Sequence, residues 1–176
     1  VNPKGVRAIA PTGTISILAG TTSGIEPVYS VAFKRRYLTD GTRWKSEFVV
    51  DATAQTLIDQ GISPDKIESA MDLAADPERR IKFQHDVQTP YVDQGISSTI
   101  NLPEYGTELN NEDLIPQYAG WFQKYAPGLR GLTVYPNNSR GGQPITSVPY
   151  EEAINKRGMI FEDNSEEQCL SGVCGI

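Results

Sequence analysis

The 176-residue sequence predicts an α/β fold, in which strands and helices alternate along the chain. Short apolar runs bounded by turn residues favour strands at residues 6–10, 97–102 and 131–135. Segments with apolar residues at helical spacing lie between these runs, and two of them begin with serine or aspartate followed by proline. The 38% hydrophobic and 22% charged residues are typical of a globular chain of this length, which suggests a single domain.

Composition excludes several classes of protein. The chain has 16 basic and 22 acidic residues, so its net charge of −6 argues against a dedicated nucleic-acid binder. No apolar run approaches the roughly 18–20 residues that a membrane helix needs. One histidine and two cysteines cannot supply a four-ligand zinc site, and we expect no metal centre. Because both cysteines lie near the end of the chain, they do not resemble a secretory disulfide framework, and we expect a cytoplasmic protein.

The N-terminal elements follow from local signals. Residues 6–10 predict a strand that leads through a turn into a short helix, and Gly20 would end this helix. Residues 21–27 are rich in Thr, Ser, Gly and Pro and predict a loop, after which residues 28–33 alternate weakly like a strand. Residues 51–60 predict a helix that stops at Gly61.

Two Pro-containing start signals follow. Residues 63–65 (Ser-Pro-Asp) predict a helix with an apolar stripe made by Ile67, Ala70, Met71 and Ala74. Residues 76–78 (Asp-Pro-Glu) predict a second helix with Phe83, Val87 and Tyr91 on its apolar face and Pro90 close to its end. Residues 110–125 predict a third amphipathic helix, and residues 131–135 predict a buried strand.

The composition changes at about residue 150. Residues 151–176 are acidic and poor in apolar side chains, so we expect a flexible tail after an α/β unit at residues 1–150.

The first candidate site is the segment of residues 11–16. A strand that leads into a helix N-terminus presents backbone amides without partners, and hydroxyls and a glycine nearby suit a phosphate group. The segment has no Gly-Lys-Ser/Thr sequence, so it is not a Walker loop. The alternative is that Thr12 or Thr14 only caps the helix. The candidate residues are Pro11, Thr12, Gly13, Thr14, Ile15 and Ser16.

The second candidate site is the pair formed by Cys169 and Cys174. A dithiol on an acidic tether has little structure nearby to cross-link, which favours a thiol–disulfide shuttle. A passive terminal disulfide and a pair without any role are the alternatives. Three single residues stay open: Glu26 could line a site or form a buried ion pair, His85 suits packing better than catalysis, and Arg140 could bind an anion or only solvate its turn.

Five motifs occur together in one order. They are residues 10–16 (APTGTIS), 24–27 (GIEP), 93–97 (DQGIS) with Asn101, 132–135 (LTVY) with the Ser-Arg pair at 139–140, and the terminal cysteines. In this order the chain resembles the C-terminal portion of the ribonucleotide reductase catalytic subunit. The resemblance implies a ten-stranded α/β barrel, of which this chain would supply the C-terminal part. It also implies that residues 11–15 hold the substrate phosphates beside Ser16, and that Cys169 and Cys174 re-reduce an active-site disulfide and accept electrons from thioredoxin or glutaredoxin.

Two departures indicate the class. Where the oxygen-dependent enzymes carry adjacent tyrosines that relay a radical, this sequence has Tyr135 and Pro136, and it has Gly13 where those enzymes commonly carry glutamate. The pattern is more similar to the adenosylcobalamin-dependent class. The alternatives are an oxygen-dependent reductase with a diiron or dimanganese subunit, and a non-catalytic module that binds a nucleotide or a partner.

The family's thiyl-forming cysteine and active-site cysteine pair have no counterpart before Cys169, and the sequence begins at Val1 rather than at methionine. We therefore expect a fragment, or one half of a split enzyme that needs a complementary reductase polypeptide. We expect adenosylcobalamin to be bound mainly by the missing part of the enzyme. The chain alone would bind ribonucleotide phosphates weakly and would catalyse nothing.

Overall fold

The computed structural model describes residues 5–39, 43–137, 139 and 145–162. These residues form two compact units, the first from residues 5–29 and 68–137 and the second from residues 30–67, 139 and 145–162. The helices are α1 (Gly13–Ala19), α2 (Ala52–Asp59), α3 (Ala70–Leu73), α4 (Pro77–Tyr91), α5 (Ile115–Tyr125) and α6 (Tyr150–Asn155). The strands are β1 (Ala32–Thr39), β2 (Arg43–Val50), β3 (Thr99–Leu102), β4 (Thr133–Pro136), β5 (Ile145–Ser147) and β6 (Ile160–Glu162).

The first unit is built around parallel pairing. Strands β3 and β4 pair in parallel with Thr99 opposite Thr133. Just before β3, Ile96 forms a parallel bridge with Ile9, so the predicted strand at residues 6–10 is reduced to one bridged residue. Helices α4 and α5 pack together, and the core comprises Ile81, Ile100, Leu102, Tyr118 and Tyr125.

Helix α4 begins where the sequence predicts. The Asp76 carboxylate accepts a hydrogen bond of 3.2 Å from the Arg79 amide, and Pro77 occupies the first turn, where its missing N–H costs nothing. Pro90 lies one residue before the end of the helix, so it leaves the body of the helix intact.

The inner face of α4 differs from the prediction. Phe83 and Tyr91 are 46% and 63% exposed, whereas Arg80, Gln84 and Gln88 are buried. These three polar residues recur every four positions and therefore share one face. Phe83 and Tyr91, two residues of the predicted apolar stripe, therefore lie on the outside of α4.

The reason lies in the backbone that α4 packs against. The Gln84 side-chain amide donates a 2.9 Å hydrogen bond to the Gly131 carbonyl, and that of Gln88 donates one of 2.8 Å to the Gln94 carbonyl. The Gln88 carbonyl oxygen also accepts from the Arg130 amide at 3.4 Å. These backbone groups precede β3 and β4, and the buried side chains of Gln84 and Gln88 supply their hydrogen-bond partners.

The second unit is an antiparallel sheet with the strand order β5-β1-β2-β6. Strands β1 and β2 pair over their whole length, from Ala32 opposite Val50 to Thr39 opposite Arg43. Helix α6 packs against these two strands, and the apolar cluster there consists of Ala32, Phe48, Val50 and Ala153. Neither β2 nor most of β1 was predicted, because β1 carries three consecutive basic residues at 34–36 and β2 carries charged residues at 43, 45 and 47.

Three further predictions have mixed outcomes. Helix α2 is confirmed, and the Asp51 carboxylate caps it by accepting from the Thr53 amide at 2.8 Å. The helix predicted from Ser63 is wrong. Only a 3-10 turn (Pro64–Lys66) forms, and α3 starts later, after a capping box made by Ser69 and Asp72. Strand β4 is present but not buried, since Tyr135 is 38% exposed.

The predicted division at residue 150 also differs from the structure. Residues 150–162 form α6 and β6, and β6 pairs with β2, so the first part of the expected flexible tail belongs to the sheet of the second unit. Residues 1–150 are likewise divided between two units rather than forming one. The remainder of the predicted tail, residues 163–176, lies outside the described residues.

Candidate functional site

The segment of residues 11–16 follows directly from the bridged strand of the first unit. The Ile9 amide donates to the Gly95 carbonyl at 3.1 Å, and the Ser97 amide donates to the Ile9 carbonyl at 2.9 Å. These parallel-type bonds bring the chain to Ala10 beside the start of β3. From there the chain enters α1 at Gly13.

Thr12 precedes α1 in an unusual conformation. Its φ of 43° and ψ of 28° are left-handed, and Thr12 is the only non-glycine residue with positive φ in the described part of the chain. Its side chain does not cap α1. Instead, its hydroxyl oxygen accepts a 3.2 Å hydrogen bond from the Gly24 amide. The capping alternative therefore does not describe Thr12, whose hydroxyl fixes a neighbouring loop.

Ser16 has an internal role. It is 5% exposed, and its hydroxyl lies 2.8 Å from both the Gly13 carbonyl oxygen and the Ser23 hydroxyl. The structure thus brings the six candidate residues together in one turn but turns Ser16 inward. The other five, from Pro11 to Ile15, are exposed.

The first turn of α1 presents unpaired amides. The first bond of the helix runs from the Ser16 amide to the Thr12 carbonyl at 2.9 Å, so the amides of Gly13, Thr14 and Ile15 have no helical acceptor. There is no acidic residue in this turn. An anion that approaches it meets N–H donors without a nearby carboxylate on the same turn.

A second loop, residues 21–27, lies against this turn. Within it the Glu26 amide donates to the Ser23 carbonyl at 2.8 Å, and Gly24 has a φ of 51°. A Cβ atom on Gly24 would lie 3.0 Å from Cγ2 of Ile9 and 3.4 Å from the Ala10 carbonyl oxygen. Glycine is therefore required at position 24 for both the backbone conformation and the close approach.

Glu26 makes the buried ion pair that the sequence left as one of two possibilities. One carboxylate oxygen lies 2.9 Å from the Arg80 guanidinium, and the other accepts from the Thr99 amide at the start of β3. Arg80 also donates to the Ser98 hydroxyl at 3.1 Å. The side chain of Arg80 is 7% exposed and that of Glu26 is 25% exposed.

Burial sets the direction of both pKa shifts. It raises the pKa of Glu26 above 4.5, against the opposing effects of the Thr99 amide, Arg80 and Ser98. Burial likewise lowers the pKa of Arg80, against the opposing effect of Glu26. Sequence reasoning missed Arg80. The available signal was the recurrence of polar residues every four positions at Arg80, Gln84 and Gln88.

A cavity of about 520 Å³ lies beside this ion pair. Its apolar lining consists of Ile25, Pro27, Leu73 and Phe83. Its six charged residues form three ion pairs, so the cavity has no unbalanced positive charge that would favour a phosphate group. The pairs are Glu26–Arg80, Glu68–Arg79 and Lys82–Asp86.

The remaining candidates have different outcomes. Cys169, Cys174 and Arg140 lie outside the described residues. The His85 ring packs edge-on against Tyr125 with a centroid distance of 5.6 Å. Its Nε2 atom faces Gly128 and its Nδ1 atom lies 3.6 Å from Asp86, as expected for a packing residue.

Two features, a metal-binding cluster and a membrane-spanning helix, are absent from the described ranges. Across residues 5–39, 43–137, 139 and 145–162, no cluster of three or more His, Cys, Asp or Glu side chains is arranged to hold a metal ion. Over the same ranges, no helix combines the length and apolar character needed to cross a membrane.

A family model and two sequence relatives all connect the chain with ribonucleotide reductases. The family described as "Ribonucleotide reductase, barrel domain" matches residues 4–135. A vitamin B12-dependent ribonucleoside-diphosphate reductase of Mycobacterium tuberculosis is 32% identical over 163 residues, which cover 81% of this chain and 22% of that protein. The protein of the same name from Thermoplasma acidophilum is 31% identical over 174 residues, covering 88% of this chain and 22% of that protein.

A solved structure shares the fold. The crystal structure of a B-12 dependent (class II) ribonucleotide reductase superimposes with a TM-score of 0.59 at 16% identity, covering 83% of this chain and 21% of that chain. The chain therefore spans about a fifth of the length of the proteins that it matches. The architecture corresponds to a part of the α/β barrel in that structure.

Proposed function

Because the chain belongs to the ribonucleotide reductase family through its barrel domain, we propose that it forms part of an enzyme that converts ribonucleotides to deoxyribonucleotides by radical chemistry. The vitamin B12-dependent relatives support the adenosylcobalamin-dependent class. In this proposal the chain contributes a substrate-phosphate loop and a C-terminal thiol shuttle. The thiyl-forming cysteine comes from residues outside this chain, since no cysteine precedes Cys169.

The phosphate role is carried by the first turn of α1. The amides of Gly13, Thr14 and Ile15 are exposed donors, and the absence of an acidic side chain in this turn favours an anion there. In the proposal these amides and the Thr14 hydroxyl donate to the phosphate oxygens. Thr12 and Ser16 hold the turn in shape through their hydroxyls.

The thiol role is assigned to Cys169 and Cys174. Each turnover of the proposed reaction converts a ribonucleotide and a dithiol into a deoxyribonucleotide, a disulfide and water. One tail thiolate attacks the active-site disulfide, and the second displaces it from the mixed disulfide, so the two electrons move to the active-site pair. The resulting tail disulfide is then reduced by an external dithiol protein such as thioredoxin or glutaredoxin.

Adenosylcobalamin, when bound, supplies the radical. In this proposal the remainder of the enzyme, on the same or a complementary polypeptide, binds the cofactor.

A titration of the isotopically labelled chain tests the phosphate loop. Cytidine diphosphate and cytidine triphosphate should shift the amide resonances of Gly13, Thr14 and Ile15, whereas cytidine should leave them unchanged. The variant Thr14→Asp should lose at least about 90% of the affinity, because a carboxylate in the first turn stabilises the helix but repels phosphate. Thr14→Asn, which has the size of the aspartate without its charge, is the matched control. It loses the hydroxyl donor, so it should bind more weakly than the wild type but much more tightly than Thr14→Asp.

Binding of the diphosphate by Thr14→Asp as tightly as by Thr14→Asn would contradict the phosphate role. Shifts confined to other parts of the chain would contradict it as well. The difference between the diphosphate and triphosphate arms indicates which nucleotide the loop prefers.

The shuttle is tested in the assembled reductase with the double variant Cys169→Ser/Cys174→Ser. Turnover with a protein reductant should fall to a few per cent, while turnover with a small dithiol, which reaches the active site directly, should persist. Equal turnover of both forms with the protein reductant would overturn the assignment.

A further inference from the structure

We infer that Glu26 and Arg80 are positioning residues for substrate binding, because they hold the loop of residues 21–27 against the proposed phosphate loop. This inference rests on the proposed phosphate role of α1. It adds a pair of residues that contact no nucleotide themselves and act through Gly24 and Ser23.

The connection begins at the phosphate loop. Gly24 donates its amide to the Thr12 hydroxyl at 3.2 Å, and the Ser23 hydroxyl lies 2.8 Å from that of Ser16. Thr12 is held at a φ of 43°, a conformation that a threonine adopts only when its surroundings impose it. These two contacts therefore set the direction in which the first amides of α1 point.

The connection continues to the body of the first unit. Glu26 follows Gly24 by two residues, and its carboxylate bridges the Arg80 side chain and the Thr99 amide. Arg80 lies on the inner face of α4, which the core and the glutamine contacts hold in place. Thus one carboxylate ties the loop to both α4 and the start of β3.

The ion pair of Glu26 and Arg80 is well suited to hold the loop of residues 21–27 in place. Its guanidinium is almost fully buried and has two acceptors, Glu26 and Ser98, so moving the loop away would leave a buried charge without its counterion. Gly24 supplies the close approach on the opposite side, since any larger residue would contact Ile9 and Ala10. The loop is therefore held at its centre by the close approach of Gly24 and near its C-terminal end by Glu26.

The test uses the full chain and cytidine diphosphate as the probe. Glu26→Gln keeps an oxygen for the Thr99 amide but places an uncharged amide against Arg80. If the loop then occupies its binding geometry about a tenth of the time, the affinity falls about tenfold. Glu68→Gln is the matched control, because it breaks the exposed ion pair between Glu68 and Arg79, the residue of α4 next to Arg80.

Three readouts separate positioning from general stability. The thermal midpoint of each variant is measured first, and the affinity is measured at least about 15 °C below the lower midpoint, where more than about 95% of a domain of this size is folded. Hydrogen exchange of the Ser16 and Thr21 amides, which donate to Thr12 and to Ser16, reports the local order of the loop. Arg80→Lys, which keeps the charge, should restore part of the affinity relative to Arg80→Met.

Weaker binding and faster exchange in Glu26→Gln, with Glu68→Gln like the wild type, support the inference. Wild-type affinity in a folded Glu26→Gln overturns it and leaves the phosphate role intact. Absence of diphosphate binding by the wild type overturns the phosphate role, and the inference fails with it. Should Glu26→Gln not fold, Gly24→Ala decides, because wild-type affinity in that variant also overturns the inference.

Discussion

The two units of the chain are stabilised in different ways. In the first, α4 directs Arg80, Gln84 and Gln88 inward. The two glutamines bind backbone groups around two parallel strands, and Arg80 binds the side chains of Glu26 and Ser98. In the second, antiparallel strands satisfy one another along their length, and a small apolar cluster lies beneath α6. Some backbone groups just before β3 and β4 have no partner in the strand pairing. The buried side-chain amides of Gln84 and Gln88 supply hydrogen bonds to them. The candidate site lies in the unit where polar side chains determine loop positions.

The largest expected effect concerns the apolar cluster of the second unit. Phe48 is 9% exposed, and its ring lies edge-on to Phe161 at 5.7 Å. Phe48→Ala should lower the free energy of unfolding by about 3 kcal/mol, because it removes most of the side-chain volume in a four-residue cluster. Urea unfolding measures the loss, and amide exchange in β1 locates it. Phe161→Ala, at a 40% exposed position, should cost much less, and equal costs would contradict the role of the cluster.

An intermediate effect concerns the buried polar residues of α4 in the first unit. Gln88→Leu should lower the free energy of unfolding by about 2 kcal/mol, because the Gln94 carbonyl and the Arg130 amide both lose the buried side chain of Gln88 as their partner. Tyr91→Ala removes a larger and more apolar side chain from the same helix, yet it should cost less than Gln88→Leu because Tyr91 is 63% exposed. The opposite order in urea unfolding would mean that α4 is held by its apolar residues after all.

The smallest expected effect is the pH dependence from Glu26. Burial raises its pKa against the opposing effects of the Thr99 amide, Arg80 and Ser98, so the folded chain binds a proton at a higher pH than the unfolded chain does. This contribution to stability is therefore present at low pH and is lost as the pH rises from 4.5 through the folded pKa. Unfolding free energies measured across this window should fall more steeply for the wild type than for Glu26→Gln. Parallel curves would mean that Glu26 titrates normally.

Local signals predicted those features that depend on neighbouring residues. Asp51 and Asp76 each cap a helix, and Gly20 ends α1 in a left-handed conformation, because caps depend on a few adjacent positions. The turn at residues 11–16 was predicted for the same reason. The inward direction of Ser16 was not, since it depends on Ser23.

Features that depend on distant partners could not be predicted. Arg80 is buried only because Glu26, 54 positions earlier, supplies the counter-charge. The inner face of α4 depends on the carbonyl of Gly131, which accepts a hydrogen bond from Gln84 although it lies 47 positions away in the chain. In β2, Arg43, Lys45 and Glu47 place a charge at every second position, which is only a weak strand signal. The strand forms because it pairs with β1 along its whole length.

The division of the first unit into two sequence segments has a consequence for the order of folding. The Val6 amide and the Asp93 carboxylate that it contacts are 87 positions apart, whereas β1 and β2 follow one another directly in the chain. Closing the longer loop costs more chain entropy, and hairpins form within microseconds. We therefore expect β1 and β2 to assemble early and the Ile9–Ile96 bridge to form late. In pulse-labelled refolding, protection of the Ser97 amide before that of the β1 amides would exclude this order.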